Sequence, residues 1–285
     1  MNKGVVSVLV AYLIWGLYPF YFHAMQHVAP TEIVIHRVLW TFALLAVYLF
    51  CSRRWRWIQK AITDRRTVAV FLMSSVLITA NWSTYTYAIV TNQTLEASLG
   101  YFMNPLVSVL LGTVFLKEKL NKAQMLAIVF ACAGVMWVTF KQGEFPALGL
   151  TLALSFGFYG LVRKMAPLGS LEGLTLETAF AFPVALLATF YFAGNGDLTF
   201  VHGTSWDKFW LIMAGPITTI PLILFAYGLK QVPYSTVGFI QYLSPTMVFF
   251  IGLFFFGEEL QVDRLIGFIL IWTGVLIFVG ENFFR

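Results

Sequence analysis

Ten apolar runs alternate with short polar breaks along the chain, at about residues 4–24, 31–51, 67–90, 94–116, 122–140, 147–165, 173–193, 207–229, 235–256 and 264–281. Each is close to the ~20 residues a helix needs to cross the hydrocarbon core of a bilayer. Backbone polar groups in lipid must be satisfied within the segment, so runs of this length predict helices. The joins from 90 to 94 and from 116 to 122 leave room only for tight turns. The pattern predicts an all-α integral membrane protein of ten transmembrane helices, with no stretch left for a soluble domain.

Composition narrows the class. Of 285 residues, 59% are apolar and only 11% charged, with a mean hydropathy of +0.80. An ordinary globular domain is ~25% charged, so soluble enzymes, nucleic-acid binders and disordered scaffolds are excluded. The net charge of +5 is read as loop charge rather than a nucleic-acid surface. Alternate breaks carry Lys3; Arg53, Arg54, Arg56, Lys60, Arg65 and Arg66; Lys117, Lys119 and Lys122; Arg163 and Lys164; Lys230; and Arg285. The opposite breaks carry only Lys141, Lys208 and Arg264. The positive-inside rule then puts both termini in the cytoplasm.

The first run is too long for a secretory leader and lacks an A-x-A cleavage site, so it is taken as an uncleaved span. Cys51 and Cys132 lie in apolar stretches without CxxC spacing, which suggests neither a disulfide framework nor a zinc site. No HExxH, GxSxG, GxGxxG or Walker A pattern occurs, and no cofactor is expected.

The segment YFMNPLVSVLLGTVFLKEKL (101–120) lies on QYLSPTMVFFIGLFFFGEEL (241–260) at an offset of 140. Pro105 meets Pro245, Gly112 meets Gly252, Glu118 meets Glu258, and Gly134-Val135 meets Gly274-Val275. With one residue of slip, Trp15-Gly16-x-Tyr18 meets Phe156-Gly157-x-Tyr159. An ungapped register holding Pro, Gly and Glu points to duplication, with repeats at 1–140 and 141–285. Five helices per repeat is an odd number, so the second repeat is inverted, as in secondary transporters whose site lies between the halves.

AYLIWGLYPFYF (11–22), EIVIHRVLW (32–40), NWSTYTYA (81–88), LEASLGYFMNPLVSVLLG (95–112), LSFGFYGLVRK (154–164), LTLETAF (174–180), AGPITTIPLILFA (214–226) and GFIQYLSPTMVFF (238–250) span the whole chain. Together they resemble the RarD branch of the EamA-type transporters, in the drug/metabolite transporter superfamily. The resemblance implies a ten-helix exporter or permease of the bacterial inner membrane, with a link to chloramphenicol sensitivity.

An ionisable residue inside a span is costly and marks a functional candidate. Arg37 falls about 9 Å below the outer boundary of the second run at the helical rise. Its neighbour His36 shares a face with Glu32 and Trp40, but no further ligands for a metal are visible. Glu96 lies at a depth compatible with an Arg37–Glu96 pair. The repeat sets His36-Arg37 against Glu177-Thr178, and Glu177 is level with Arg163. Roughly 12–15 Å of depth separates that level from Arg37. An outer cluster (His36, Arg37, Glu96) and an inner one (Arg163, Glu177) are expected. They are either gate or packing ion pairs, or they bind solute or a coupling proton.

Ser74, Asn81, Tyr85 and Asn92 form a polar line within ~40° on one face of the third helix, suited to cavity lining or to interhelical hydrogen bonds. Trp15, Tyr18 and Phe22 share a face of the first helix, with Trp40 and Trp82 as candidates to join it. Aromatic walls suit flat or amphipathic organic solutes and, through ring faces, cations. Tyr159, as the counterpart of Tyr18, joins this set, as do Asn104 beside its proline and Gln241 in the GFIQYLSPTMVFF segment. Pro105, Pro245, Pro216 and Pro221 are candidate hinges or packing kinks. The Arg53–Arg66 cluster with Trp55 and Trp57 suits anionic headgroups.

These expectations describe a secondary transporter of small organic metabolites or amphiphilic drugs, working by alternating access through a central cavity. It would draw on a proton gradient, counter-substrate exchange or the solute's own gradient. Arg37 and His36 would orient an anionic group, and Glu96 and Glu177 would balance charge or relay protons. The alternatives are an importer, a lipid or isoprenoid-phosphate flippase, and a non-transporting membrane sensor or assembly protein. Expected partners are a small-molecule solute and the bilayer, with no nucleic acid; monomer and homodimer both stay open.

Overall fold

Apolar side chains and the absence of water leave the backbone no partner but itself, and every apolar run becomes helical. The computed structural model describes residues 2–53, 55–90, 94–142, 147–257 and 262–283. Arg54, Asn92, Glu258 and Arg285 lie outside the described residues, as does the side chain of Glu96. No strand occurs among the described residues.

The first run forms two helices, α1 (Lys3–Gly16) and α2 (Tyr18–Ala24), interrupted at Leu17 just ahead of Pro19. Then follow α3 (Pro30–Ser52), α4 (Arg56–Thr63), α5 (Arg65–Val90), α6 (Thr94–Phe115), α7 (Lys122–Gln142) and α8 (Ala147–Met165). The second half continues with α9 (Ser170–Gly194), the short α10 (Thr199–His202) and α11 (Ser205–Leu229). The ninth run is split at Tyr242 into α12 (Tyr234–Gln241) and α13 (Leu243–Phe255), ahead of Pro245, and α14 (Val262–Phe283) closes the chain. Pro105, Pro216 and Pro221 lie inside continuous helices, so of the candidate hinges only Pro245 adjoins an interruption.

Eight helical stretches among the described residues are long and apolar enough to cross a membrane, where the sequence predicts ten. α6 supplies a shorter apolar stretch, Gly100–Phe115, and the 19-residue α8 ends on Arg163, Lys164 and Met165. The basic cluster is partly helical: in α4, Trp57 and Ala61 pack with Phe71, Ala166 and Leu176.

The packing partners come in matched sets. α6 packs on α8 and α1 on α13; α3 on α11 and α5 on α9; α1 on α11 and α5 on α8. Exchanging each helix for its counterpart 140 residues on turns one member of each set into the other. α7 and α14 pair antiparallel, with Lys141 3.2 Å from Asp263 at one end and Asn121 bonded to Glu281 at the other.

Glycines let these two backbones touch. A Cβ on Gly134 would lie 2.6 Å from the Gly267 carbonyl oxygen, and one on Gly274 would lie 2.5 Å from that of Ala127. Gly134 and Gly274 are 140 apart, and so are Ala127 and Gly267. The left-handed residues closing α6 and α13 obey the same offset: Lys117 at φ 53 and Gly257 at φ 66.

Candidate functional site

α1 and α2, on either side of the break at Leu17, and the proline-bearing segments of α6 and α13 face the same space. Between them lies a cavity of about 520 Å³. α1 and α2 contribute Tyr12, Trp15, Tyr18, Pro19 and Phe22; α5 contributes Ile78, Asn81, Trp82 and Tyr85. Tyr101, Phe102 and Asn104 come from α6, Phe156 from α8, Leu222 from α11 and Gln241 from α12. Ser244, Pro245, Val248 and Phe249 of α13, with Arg264 and Phe268 of α14, complete the wall. Its size falls in the ~300–1,000 Å³ range of small-molecule sites.

One cation stands on α3 among these rings. The Nε of Arg37 donates to Thr218 Oγ1 at 3.0 Å, and its guanidinium carbon lies 4.3 Å from the centre of the Trp82 ring. No acidic side chain lines the cavity among the described residues. A chain of rings runs beside the guanidinium, with Tyr18–Phe22 and Phe22–Tyr85 centroids 5.9 Å apart and Tyr85–Tyr101 6.0 Å apart. The Tyr18 hydroxyl is spent on the backbone, donating to the Ile217 carbonyl at 2.8 Å.

The polar groups of the wall fall into two kinds. Asn81 Nδ2 is held by the Leu152 carbonyl and Ser155 Oγ, each at 3.0 Å, and Gln241 Nε2 by Ser108 Oγ at 3.1 Å. The Tyr12 hydroxyl and Asn104 Oδ1, by contrast, are buried with no hydrogen-bond partner among the described residues. Such groups are rare because each forfeits its hydration.

Farther along α8, α11 and α12 the space closes. Tyr159 stacks on Phe225 at 11° between planes, and the Tyr234 hydroxyl donates to the Gly157 carbonyl at 2.6 Å. At the helix ends two lysines cross over. Lys164, from α8, donates to the Leu229 and Val232 carbonyls at 2.7 and 2.5 Å. Lys230, which ends α11, donates to the Ala166 and Leu168 carbonyls at 2.8 and 2.5 Å. Cations at helix C-termini satisfy orphan carbonyls and complement the helix dipole. Burial holds the Lys230 ammonium below its ordinary pKa. Glu118 does the reverse at the start of α12, accepting from the Tyr234 and Ser235 amides at 2.6 and 2.8 Å and from Ser235 Oγ at 2.7 Å.

Arg163 and Glu177 meet outside the cavity, each with a side chain 1% exposed, at 3.4 Å between Nε and Oε1. Glu177 also accepts from Ser74 and, at 3.4 Å, from the Tyr159 hydroxyl. Arg163 Nη2 donates to the Ser170 carbonyl at 3.0 Å, while its Nη1 is buried without a hydrogen-bond partner among the described residues. Ser74, on the polar line of α5, thus holds Glu177 rather than facing the cavity, whereas Asn81 and Tyr85 of that line do face it.

His36 is set apart from Arg37, on a different face of α3. Its Nδ1 accepts from Trp40 Nε1 at 2.9 Å, and its ring packs on Phe200 at 4.7 Å. Glu32, on the same face, caps α10 by accepting from the Thr199 and Phe200 amides at 3.0 and 2.7 Å. Of the sequence candidates, Trp15, Tyr18, Arg37, Asn81, Trp82, Tyr85, Asn104, Gln241 and Pro245 line the cavity; His36, Trp40, Tyr159, Arg163, Glu177, Pro105, Pro216 and Pro221 do not. The expected Arg37–Glu96 contact falls on a side chain outside the described residues.

Sequence reasoning passed over Thr218, Tyr12, Tyr101 and Phe156, and counted Arg264, Lys164 and Lys230 only as loop charge. Last-turn lysines were a signal for C-terminal capping, and Glu118 stood in the repeat. Nothing in the sequence marks Thr218, because its partner is 181 positions away.

The pattern defining the EamA-like transporter family matches residues 2–140 and again 146–280. The chain is similar to the protein RarD of Salmonella typhi, 38% identical over 280 residues that cover 98% of this chain and 95% of that one. It is also similar to the uncharacterized transporter YojE of Bacillus subtilis strain 168, 40% identical over 282 residues covering 97% and 93%. A solved crystal structure superposes with a TM-score of 0.71 over 97% of this chain and 98% of that one. At 14% identity, that likeness shows the fold alone.

Proposed function

Because this chain belongs to the EamA-like transporter family, within its RarD branch, we propose that it is a secondary transporter of a small organic solute. Ten crossings form two inverted repeats, 1–140 and 141–285, in a bacterial inner membrane with both termini cytoplasmic. The solute occupies the central cavity and is exposed to each face in turn, with export the direction the family resemblance implies.

The observation that carries this reading is a cavity lined by helices of both halves; the Lys164 and Lys230 bonds are read as its shut end. The matched helix contacts, the glycine pairs of α7 and α14 and the left-handed Lys117 and Gly257 support the repeat. Counterparts α7 and α14 run antiparallel, as inversion requires. The shut end carries Lys164 and Lys230, on the cation-rich side, so this conformation corresponds to an outward-facing state. A static receptor has no need of two matched halves; a device that rocks one against the other does.

Thiol labelling tests the reading. In a chain with Cys51→Ser and Cys132→Ala, a single cysteine at Ser244 in the cavity wall is labelled by an impermeant maleimide in right-side-out and inside-out vesicles. Alternating access makes it reachable from both faces, one at a time. Labelling from a single face under all conditions overturns the reading.

A further inference from the structure

We propose that the solute is a flat aromatic anion, typified by an aromatic carboxylate, whose charge is received by Arg37. This deepens the transporter reading and rests on it.

The inference starts from an imbalance. Arg37 is half-buried at the cavity wall, with one of its five N–H donors bonded to a described residue, Thr218. Thr218 holds it from one side and the Trp82 ring lies 4.3 Å from its carbon on another. Those contacts orient the guanidinium plane without neutralising it. A second cation, Arg264, lines the same space, and no acidic side chain does so among the described residues. A charge in a low-dielectric site requires a counter-charge. Here the solute is the group that brings it.

The geometry also selects the kind of anion. A planar guanidinium with its Nη donors unclaimed among the described residues matches the two oxygens of a carboxylate. Around it the wall is mainly aromatic, through Trp15, Tyr18, Phe22, Tyr85, Tyr101 and Phe156. Rings of this kind hold a flat apolar body, whereas a small, strongly hydrated inorganic anion would lose its water without compensation. A cation meets two arginines and, among the described residues, no carboxylate. A neutral molecule of the same shape leaves Arg37 uncompensated.

Calorimetric titration of the purified full-length protein in detergent, near neutral pH, decides the matter. The probes share one ring and one linker: 3-phenylpropionate, 3-phenylpropan-1-ol and 3-phenylpropan-1-amine. The acid is expected to bind at least about tenfold more tightly than the alcohol or the amine, as for a buried charge that gains its partner. Arg37→Gln is expected to abolish that preference, Arg37→Lys to retain part of it, and Arg264→Gln to leave most of it. The wild-type series needs no variant, so a misfolded Arg37→Gln protein leaves the test intact.

Equal or tighter binding of the alcohol or amine overturns the proposal, as does binding of none of the three. A preference that survives Arg37→Gln, or disappears with Arg264→Gln alone, overturns the role of Arg37. Binding is read without flux, and the labelling test uses none of these ligands. An aromatic cation preferred in a protein that passes the labelling test therefore sinks the solute class and leaves transport standing.

Discussion

The Tyr18 hydroxyl donates to the Ile217 carbonyl at 2.8 Å, and Ile217 is the residue whose carbonyl Pro221 leaves without a helical donor. A helix amide bonds the carbonyl four residues earlier, and proline has no amide hydrogen. A side chain from the broken first helix thus repairs the backbone of α11 beside the cavity. Tyr18→Phe is expected to cost roughly 1–3 kcal/mol by orphaning that oxygen. On a Pro221→Ala background the helix supplies its own donor, and the cost should shrink. Thermal unfolding of the four proteins in a double-mutant cycle checks this; equal costs on both backgrounds would refute it.

On the proposed transport cycle, the crossed lysines are the contacts that hold one end of the cavity shut. Lys164→Gln with Lys230→Gln removes the charge-assisted bonds from Leu229, Val232, Ala166 and Leu168. The cysteine at Ser244 should then be labelled faster from the Lys164 side and more slowly from the other. Unchanged rates from both sides would show that the seal is made elsewhere.

Arg163 and Glu177 form a fully buried pair. Arg163→Met or Glu177→Leu alone leaves a buried charge unpaired, which costs about 3–5 kcal/mol. The double substitution should be less destabilising than either single one. Denaturant unfolding in detergent measures the three; additive losses would mean that the two charges do not depend on each other.

Close approach of α7 and α14 rests on Gly134 and Gly274, where an added Cβ meets carbonyl oxygens at 2.6 and 2.5 Å. Gly134→Val and Gly274→Val are each expected to destabilise the protein by roughly 1–3 kcal/mol through overpacking. Neither position lines the cavity, so aromatic-acid binding by the protein that remains folded should be unchanged in calorimetry.

Asp64 caps the start of α5, accepting from the Thr67 hydroxyl at 2.5 Å and from the Thr67 and Arg66 amides at 3.1 and 3.3 Å. The Thr67 hydroxyl, above all, holds this carboxyl below its ordinary pKa of 3.8. The folded state therefore binds the proton less readily than the unfolded chain, and the stabilisation is present above the ordinary value. It is lost as pH falls through the depressed one. Asp64→Asn should lower the melting temperature at neutral pH, and the gap to wild type should narrow on acidification. A gap that is constant with pH would mean that the ionised form is not what matters.

Helices and most of their limits were legible because the length of an apolar run is a property of local sequence, whereas the breaks at Leu17 and Tyr242 were not. The 140-residue offset was legible too, since Pro105 and Pro245 or Gly134 and Gly274 keep a fixed spacing. Trp15, Tyr18, Asn81 and Trp82 could be nominated for the cavity because they share helix faces with polar or aromatic neighbours. His36 shows where this reasoning stops: it is adjacent to Arg37 in sequence, but successive helical residues point about 100° apart, and His36 turns to Trp40 and Phe200 instead.

By itself the sequence determined that this chain lives in lipid, as helices, since those outcomes follow from solvent and the length of the apolar runs alone. Tertiary structure alone decided that Arg37 rests on Thr218 and Trp82, that Tyr18 repairs Pro221, and that Lys164 and Lys230 cap each other's helices. Those contacts join residues from 45 to 199 positions apart in the chain. Which side chain reaches which partner depends on how helix faces rotate against one another, and local sequence carries no record of that rotation.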